Sequence, residues 1–545
     1  MLRLGRENEF KVRAYANAAK AIAGFRGDLA SALADGTLRN VPGIGAAIFE
    51  KISTLVNEGR LPYLEELRAR FPASLAALYR VPGLGPKKVD VLREKLGVHS
   101  LEDLEAACRD GRVAALPGFG RATQAKILAG IAVAAEARQA RPFAEAAALA
   151  VRLRDLLADS GLADSVAIGG EIRRGTETVG DVVLVAAAKD ADPLLDFFLS
   201  LPGSEENPSR DGSRASARFA GGIPVELRVA PPSAWGAAVV EATGSDGHVA
   251  RLRERAAAMG VPFSKHRSEE SLYRALDLPA IAPELREDRG ELEAADGGSL
   301  PRLIEEEDIR GLFHVHTTES DGADTLEAMV EAASRLGLSY VAITDHSKIA
   351  GYAHGLDERR VEIQHAAIDA LQKRYPKLRI FKGTEADILP DGAIDFGDRF
   401  LERFDIVVAS VHSRFDLPEK EQTRRLVRAA ENPRVAVLGH LTGRLVLRRS
   451  GIALDIPRVL DAAAASGCAV EINGSPRRLE LDWRWHREAI RRRVLLSIGP
   501  DAHATRELDY FRFGVRIARK GWVEAENVLN TRPASAIAAW VHSRR

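Results

Sequence analysis

The stretch FHVHTTESDG, residues 313–322, follows a short apolar run and carries two histidines two positions apart, with an aspartate five residues after the second. Further apolar runs up to residue 503 alternate with helical patterns, and most of them end in histidine, aspartate or glutamate. Such alternation predicts a parallel barrel or a closely related α/β layer. In a parallel barrel the carboxyl ends of the strands form one face, so side chains from distant parts of the chain meet there.

Nine potential metal ligands stand at these strand ends: His314, His316, Asp321, His346, Glu385, His412, His440, Asp501 and His503. Imidazoles with carboxylates suit zinc, manganese or iron, and this many donors predict two or three ions. One histidine at a strand end is more often a polar core residue, but nine donors are hard to explain by packing, because unpartnered buried polar groups are costly. Lys382 and Arg444 are candidates to bind a phosphate there, and each could equally be a solvated surface charge.

A Pro-Gly-apolar-Gly turn followed by a helical pattern occurs three times, at 41–52, 81–92 and 116–128. Glycines in such a turn let backbone amides at a helix start approach a phosphate closely. One copy could be an ordinary connector, whereas three copies predict a helix-hairpin-helix region that holds the DNA backbone without reading its sequence. The residues expected at this interface are Gly43, Gly45, Gly83, Gly85, Lys87, Gly118 and Gly120.

Composition excludes several other classes of protein. The 545 residues, 46% hydrophobic and 28% charged, predict three or four soluble globular domains. No apolar run reaches the ~20 residues of a membrane helix, and the polar N-terminal stretch predicts no secretory signal. Cys108 and Cys468 are far apart, which argues against a disulfide framework and favours the cytoplasm. The zero net charge neither indicates nor excludes nucleic acid as a partner. Nothing demands a partner chain, so a monomer is expected.

Between residues 139 and 300 the pattern changes to a helix, several short strands and a second helical stretch. The strands are expected in SVAIGG (165–170), VGDVVLVAAA (179–188), SARFAGG (216–222) and IPVELRVA (223–230). The segment 268–298 is polar and irregular, and it predicts a connection to the next domain.

Residues 308–530 resemble the PHP (polymerase and histidinol phosphatase) family, and all nine ligand positions of that family's pattern are filled. The resemblance implies a distorted (β/α)7-type barrel with two to three Mn²⁺ or Zn²⁺ ions. It also implies hydrolysis of phosphoesters by a water that the ions activate.

Helix-hairpin-helix repeats ahead of a PHP-like domain resemble the family X DNA polymerases of bacteria and archaea. The stretch AIGGEIRRGTETVGDVVLV (167–185) is similar to their palm motif, with Arg173 and Arg174 as candidate phosphate contacts. The resemblance implies a multidomain α and α/β protein of DNA repair, including base excision repair. Its expected parts are a helix-hairpin-helix region (1–138), an α+β nucleotidyltransferase-like palm (139–232), a thumb and linker (233–300) and a PHP domain (301–545).

The palm departs from the family pattern at its catalytic centre. Asp181 matches the first catalytic carboxylate, Val183 stands where the second is expected and Glu226 where the third is expected. Gly170 replaces the phosphate-binding serine. Two-metal nucleotidyl transfer needs carboxylates that bridge two cations, so we expect weak or absent polymerase activity. For the same reason, binding of Mg²⁺ or Mn²⁺ and of dNTP by the palm is doubtful.

Four functions are compatible with these motifs. The first is a manganese-stimulated 3′→5′ exonuclease or 3′-end phosphoesterase acting on gapped, nicked or 3′-recessed duplex DNA. The second is an active gap-filling polymerase with a proofreading PHP domain. The third is a small-molecule phosphatase of the histidinol-phosphate type, which the helix-hairpin-helix repeats disfavour. The fourth is a DNA-end-binding scaffold, which the crowded ligand set disfavours because structural zinc sites are typically closed with four ligands.

Overall fold

The computed structural model describes residues 2, 7–23, 25, 29–71, 73–79, 81, 84–219 and 222–544. The chain divides into two units, Met1–Gln139 and Ala140–Arg545. The domain boundaries expected after residues 232 and 300 fall inside the second unit and stay predictions. No described helix combines the length and the apolar character that crossing a membrane requires.

The first unit is helical over its described residues. Its helices are α1 (Glu9–Ala23), α2 (Leu29–Ala34), α3 (Ala46–Glu58), α4 (Pro62–Arg70), α5 (Ala73–Leu78), α6 (Pro86–Leu96), α7 (Leu101–Arg109) and α8 (Gly120–Gln139). The apolar residue inside each Pro-Gly-apolar-Gly turn is buried, namely Ile44, Leu84 and Phe119. Each turn is therefore anchored by one side chain, while its described glycines stay at the surface.

The second unit begins with an α+β region built on a five-stranded sheet. The strands of this region are β1 (Arg141–Pro142), β2 (Ser165–Ile168), β3 (Thr178–Val179), β4 (Val182–Ala187), β5 (Glu205–Asp211), β6 (Arg214–Phe219) and β7 (Ile223–Ala230). Its helices are α9 (Phe143–Asp159), α10 (Gly170–Arg174) and α11 (Asp192–Ser200). Strands β1 and β3 form a separate antiparallel pair. The sheet order is β2-β4-β7-β6-β5, and only the β4–β7 pair is parallel. This pairing sets Val183 opposite Glu226.

Four helices follow: α12 (Trp235–Thr243), α13 (Asp246–Met259), α14 (Glu269–Ala275) and α15 (Glu291–Asp296). The prediction that 268–298 is an irregular connection was wrong, because this segment supplies α14 and α15 and much of a buried core. Its polar residues are paired inside that core: His248 Nδ1 lies 2.7 Å from Glu291 and its Nε2 lies 3.0 Å from the Tyr273 hydroxyl. Partnered polar groups can be buried at little cost, so a polar sequence concealed a packed region.

The rest of the unit is a barrel of seven strands in chain order, which confirms the predicted architecture. They are β8 (Gly311–Leu312), β9 (Tyr340–Ile343), β10 (Arg379–Asp387), β11 (Ile406–Ser410), β12 (Val437–Leu438), β13 (Ala469–Asn473) and β14 (Leu496–Gly499). All neighbouring pairs are parallel. Beyond the ends of β8 and β14, Val315 pairs with Ala502, and the His316 amide donates to the Ala502 carbonyl at 2.8 Å. This bridge brings the first and last strands together.

Helices cover the outside of the barrel, and the end of the chain fills its lower end. The helices are α16 (Leu326–Arg335), α17 (Glu358–Arg374), α18 (Asp398–Leu401), α19 (Glu419–Glu431), α20 (Ile456–Ser466), α21 (His486–Arg491), α22 (Phe511–Lys520) and α23 (Ala534–Ser543). Leu529 and Ile537 pack into one apolar cluster with Phe313, Tyr340 and Phe381 from the strands. The ligand-bearing strand ends are therefore the opposite, upper end of the barrel.

A seam of buried charges joins α22 to the α+β region. Lys520 is almost wholly buried, contacts Glu287, and donates to the Arg174 carbonyl at 3.1 Å. Arg174 Nε also donates to Glu287 Oε1, at 2.8 Å. Glu287 thus neutralises two cations that both come from neighbouring elements.

Replacing Glu287 by alanine is expected to lower the free energy of unfolding by about 3–5 kcal/mol, because it leaves Lys520 buried without its carboxylate. Glu293→Ala is the matched control, since Glu293 pairs with Arg251 at the surface and should contribute little. Urea unfolding followed by tryptophan fluorescence reports on the second unit, which contains all five tryptophans. Equal losses for the two variants would contradict this account.

Candidate metal centre

The nine predicted ligands come together at the upper end of the barrel. They form four overlapping groups, in each of which the potential ligand atoms lie within 4.8 Å of one another. The groups are His316 with Asp321, His346 and His503; His314 with Glu385 and His440; His314 with His316 and Asp501; and His346 with Glu385 and His412. We call this set the metal centre.

Glu385, on β10, stands in the middle of the metal centre. Its Oε1 lies 3.2 Å from His314 Nε2, 3.2 Å from His412 Nε2 and 2.8 Å from His440 Nε2. Its Oε2 lies 3.0 Å from His346 Nδ1 and 3.6 Å from His316 Nε2. The two oxygens of one buried carboxylate therefore address different histidines, as a carboxylate that bridges two cations must do.

Two further carboxylates flank this centre. Asp501 Oδ1 lies 3.6 Å from His314 Nε2 and 3.5 Å from His316 Nε2. Asp321 Oδ1 lies 3.4 Å from His503 Nε2 and 3.6 Å from His346 Nε2. Each aspartate thus adds a negative charge beside a pair of imidazoles.

The hydrogen bonding of the centre fits bound cations. Several buried ligand atoms make no hydrogen bond within the described residues: His314 Nε2, both ring nitrogens of His316, His346 Nδ1, Glu385 Oε2 and His440 Nδ1. Buried polar atoms normally have partners. Bound cations would supply one to the Glu385 oxygen and to one nitrogen of each ring, because the other nitrogen of a neutral imidazole carries a proton. Nitrogen and carboxylate donors together suit zinc and manganese.

Burial and the charges of the cluster set the protonation of its side chains. Burial lowers the pKa of His316 to about 3, helped by the neighbouring His503 and His346, so this ring is neutral at pH 7. Burial opposes ionisation of Glu385, but the surrounding imidazoles hold its pKa well below the usual value. Burial also opposes protonation of His412, which Glu385 and Asp387 outweigh, so its pKa is raised to about 9. A metal bound at His412 would therefore displace a proton.

Several supporting residues were not identified from the sequence. Glu471, on β13, lies 2.5 Å from His314 Nδ1 through one oxygen and accepts from the His440 amide at 2.6 Å through the other. Asp387 bonds His412 Nδ1, and Arg478 Nε donates to Asp501 at 3.0 Å. Position was a usable signal for Asp387, which ends β10 two residues after Glu385, whereas Glu471 lies in the middle of β13 and gave none.

The backbone at three ligands is held in an uncommon conformation. The φ angles of His314, His440 and Asp501 are 67°, 21° and 51°. Non-glycine residues rarely adopt positive φ, and such residues cluster at functional sites. The surrounding contacts, including those of Glu471, hold these turns so that the side chains point to one place.

The candidate phosphate contacts lie elsewhere or already have partners. Lys382 Nζ bonds Asp369 on α17 at 2.8 Å, and it lies three positions from Glu385, hence on the other face of β10. Arg444 Nη2 lies 3.2 Å from Glu177 and its Nη1 lies 3.3 Å from Asp482.

The arginine pair of the palm motif is bound by carboxylates as well. Arg173 Nη1 donates to Glu269 Oε1 at 3.0 Å, and Arg174 Nε donates to Glu287. Arg174 in addition lines the palm cavity described next.

Asp181 and Val183 line a cavity of about 420 Å³ in the palm. Burial raises the pKa of Asp181, and the negative charge of Glu226 raises it further. Glu226 itself makes a two-pronged ion pair with Arg228, with distances of 2.9 and 3.0 Å. At Gly170, where φ is +62°, a Cβ would come within 3.2 Å of Val183 Cγ2.

Three more acids, Glu171, Glu241 and Asp246, line the same palm cavity and were missed from the sequence. Glu171 accepts from the Gly180 amide at 2.6 Å, and Glu241 pairs with Arg253 at 2.5 Å. Two of the three acids are thus already engaged by protein groups.

The helix-hairpin-helix turns of the first unit are exposed where they are described. Gly43 has φ +95° and Gly118 has φ +83°, which only glycine adopts readily, while Gly45 and Gly85 precede α3 and α6. Gly120 begins α8, Lys87 is exposed near the start of α6, and Gly83 lies outside the described residues.

A groove of about 910 Å³ runs along the first turn of this unit. It is lined by Gly43 and Gly45 and by the basic residues Lys11, Arg39 and Lys51. Positive side chains beside exposed backbone amides suit the phosphates of DNA.

Family models match three parts of the chain. Residues 313–475 match the PHP domain, residues 1–61 match a helix-hairpin-helix domain, and residues 75–132 match a SAM-like helix-hairpin-helix tandem.

Similar proteins match either 98% of the chain or 40% of it. DNA polymerase/3′-5′ exonuclease PolX of Bacillus subtilis (strain 168) is 34% identical over 98% of this chain and 96% of its own length. A probable phosphatase of Caldanaerobacter subterraneus subsp. tengcongensis is 30% identical over 40% of this chain and 85% of its own length. One from Thermoanaerobacter sp. (strain X514) is 27% identical over 40% of this chain and 89% of its own length. The chain therefore belongs to the PolX family of DNA polymerase/3′-5′ exonucleases, with helix-hairpin-helix regions followed by a PHP domain.

Proposed function

We propose that the metal centre hydrolyses phosphoester bonds at the 3′ end of DNA, as a 3′→5′ exonuclease or 3′-end phosphoesterase. The observation that carries this proposal is the central position of Glu385, whose two buried oxygens lie beside different histidines. The printed activity of the Bacillus subtilis relative supports the reaction class. The helix-hairpin-helix turns support DNA as the substrate, with a gapped, nicked or 3′-recessed duplex as its form.

The chain's own residues divide the work of this reaction. When bound, two to three Mn²⁺ or Zn²⁺ ions would supply a water of lowered pKa and neutralise the charge of the phosphate. Asp321, Glu385 and Asp501 would hold these ions together with the six histidines of the metal centre. Arg478 is placed to donate to a phosphate oxygen, because its Nη1 makes no hydrogen bond within the described residues.

Glu471 acts as a positioning residue in this proposal. One of its oxygens fixes the ring of His314, and the other fixes the backbone at His440. A carboxylate bound to the far nitrogen of a ligand histidine sets the tautomer and the direction of the ring. Glu471 thereby prepares two ligands that both face Glu385.

In the same proposal the palm is a weak or inactive polymerase that serves mainly to hold DNA. Valine at 183 cannot bind a cation, and Arg228 already occupies both oxygens of Glu226. Asp181 is therefore the one expected carboxylate that is present and is not held in an ion pair within the described residues. An active gap-filling polymerase is the competing function, and it would need another acid of the palm cavity as a ligand.

A small-molecule phosphatase is the second competing function. It is favoured by the relatives named probable phosphatases, which match 40% of this chain. The helix-hairpin-helix turns of the first unit favour the nuclease, because a small-molecule phosphatase has no need to hold a duplex.

Replacing His314 and His316 together by alanine should abolish Mn²⁺-dependent degradation of a 3′-recessed oligonucleotide, because both rings serve more than one ligand group. His542→Ala, a change of an exposed histidine, should leave the rate unchanged. Gel analysis of a labelled strand measures the loss, and histidinol phosphate serves as the monoester substrate. Degradation that survives the double change would exclude this centre, and faster turnover of histidinol phosphate than of DNA would favour the phosphatase.

Glu471→Gln should weaken Mn²⁺ binding or activity by about 10–100-fold, because the orienting charge behind His314 is lost. Calorimetric titration with Mn²⁺ separates weaker binding from a general loss of fold. Glu402→Gln, on the barrel surface, is the control for a neutralised glutamate. Unchanged Mn²⁺ affinity together with unchanged activity would contradict the positioning role.

Val183→Asp should raise primer extension on gapped DNA with Mg²⁺ or Mn²⁺, because it restores a carboxylate opposite Glu226. Val183→Ala opens the same space without a charge and should leave extension low. Both variants are best made in the His314→Ala/His316→Ala background, so that added nucleotides are not removed. Robust extension by the chain with Val183 would refute the inactive palm.

A further inference from the structure

The loop of residues 348–355, beside the metal centre, exposes its two large apolar side chains and buries its two alanines. Ala350 and Ala353 are fully buried, whereas Ile349 is 55% and Tyr352 is 67% exposed. Among the described residues of the second unit, no large apolar side chain is more exposed than Tyr352. A core normally takes the larger side chains, so this inversion indicates a surface kept for contact with another molecule.

The exposure of Tyr352 is imposed by a well-held backbone. The Leu356 amide donates to the His346 carbonyl at 2.8 Å, and the Ile349 amide donates to Asp395 Oδ2 at 2.9 Å. A Cβ at Gly355 would come within 1.9 Å of the Ser347 carbonyl oxygen, so the loop closes on itself too tightly for any other residue. The tyrosine is thus presented outward by the loop.

The ring of Tyr352 lies directly beside one candidate ion position. Its centroid is 6.1 Å from that of His346 and 6.2 Å from that of His412, edge-on in both cases. His346 and His412 form one ligand group with Glu385. An aromatic face therefore stands at the rim of the metal centre, within one side chain of the ligands.

We infer that Tyr352 is a stacking platform for the terminal nucleobase of the DNA strand whose 3′ phosphoester enters the metal centre. The inference rests on the proposed nuclease function and adds a specificity-determining residue to it. A nucleobase has a flat apolar face of the size of the exposed ring, and such stacking tolerates any sequence. A small monoester without a base gains nothing from this side chain.

A nearby cation supports a nucleotide as the occupant of the rim. The Arg449 guanidinium lies 4.2 Å from the Phe415 ring centroid and donates to the Gly443 carbonyl at 2.6 and 2.9 Å. It makes no ion pair with a carboxylate within the described residues. Burial and neighbouring Arg478 lower its pKa, and the charge of Glu480 opposes this shift. A positive charge without an ion-pair partner suits the phosphate backbone of the same strand.

The test uses the full chain and a 3′-recessed duplex that ends in 2-aminopurine, whose fluorescence falls on stacking. Tyr352→Ala should raise KM for this duplex by about 5- to 150-fold, the equivalent of the ~1–3 kcal/mol per stacked base, and should abolish the quenching. Tyr352→Phe keeps the ring and should retain both. Ile349→Ala, a change of the other exposed apolar residue of the loop, is the matched control and should leave both unchanged.

Two further substrates separate the possible outcomes: a duplex that ends in an abasic nucleotide, and glycerol 2-phosphate, a monoester without an aromatic ring. Tyr352→Ala should match the unmodified chain on both of these substrates, because neither offers a flat ring to stack. An equal loss on all three substrates, or quenching that persists without the ring, would overturn the platform. If the unmodified chain cleaves glycerol 2-phosphate and leaves DNA intact, the nuclease function fails instead.

Discussion

The buried carboxylate of Glu385 is the constraint on which the rest of the second unit depends. An ionised group in a barrel interior is strongly unfavourable unless opposite charge surrounds it. Histidines from the ends of other strands provide the ring of donors, and cations shared with them would complete the compensation. The charge of Glu385 is compensated only if all these strands end at the same level. The register of the barrel strands therefore determines whether this carboxylate can be buried in its ionised form.

The palm and the barrel compensate the charge of a carboxylate in different ways. In the palm, Glu226 is neutralised by Arg228, a cation that is part of the chain and cannot be exchanged. In the barrel, Glu385 faces imidazoles, which can give up a proton and bind a metal. A carboxylate held by arginine is a structural group, whereas one held by histidines stays available for chemistry.

The sequence predicted the barrel and the nine side chains that cluster at its upper end, because both depend on local patterns. Each strand of the barrel is a short apolar run, and each ligand follows such a run, as in FHVH and AITDH. The role of Glu471 could not be predicted in this way, since a glutamate next to Ile472 on a strand has no feature that distinguishes it from a surface residue. It becomes visible only when β13 is placed next to β12 and His314 is seen across the barrel.

Other features depended on long-range pairing and could not be read from the chain. Segment 268–298 looked like a linker because its polar groups are conspicuous, and their partners, such as His248, lie far away in the sequence. Arg444 remained ambiguous for a similar reason, because its partner Glu177 lies 267 residues away in the sequence. Lys382, by contrast, could have been placed on the other face of β10 from its odd spacing to Glu385.

The filling of the lower end of the barrel by Leu529 and Ile537 has a consequence for the order of events during synthesis. Both residues leave the ribosome after every strand of the barrel has been made. Until then, part of the apolar lining of the seven strands stays exposed to solvent. The helical first unit needs nothing from later residues for its own core and can fold while translation continues. Nascent chains would therefore acquire their DNA-holding part first and their cleaving part last.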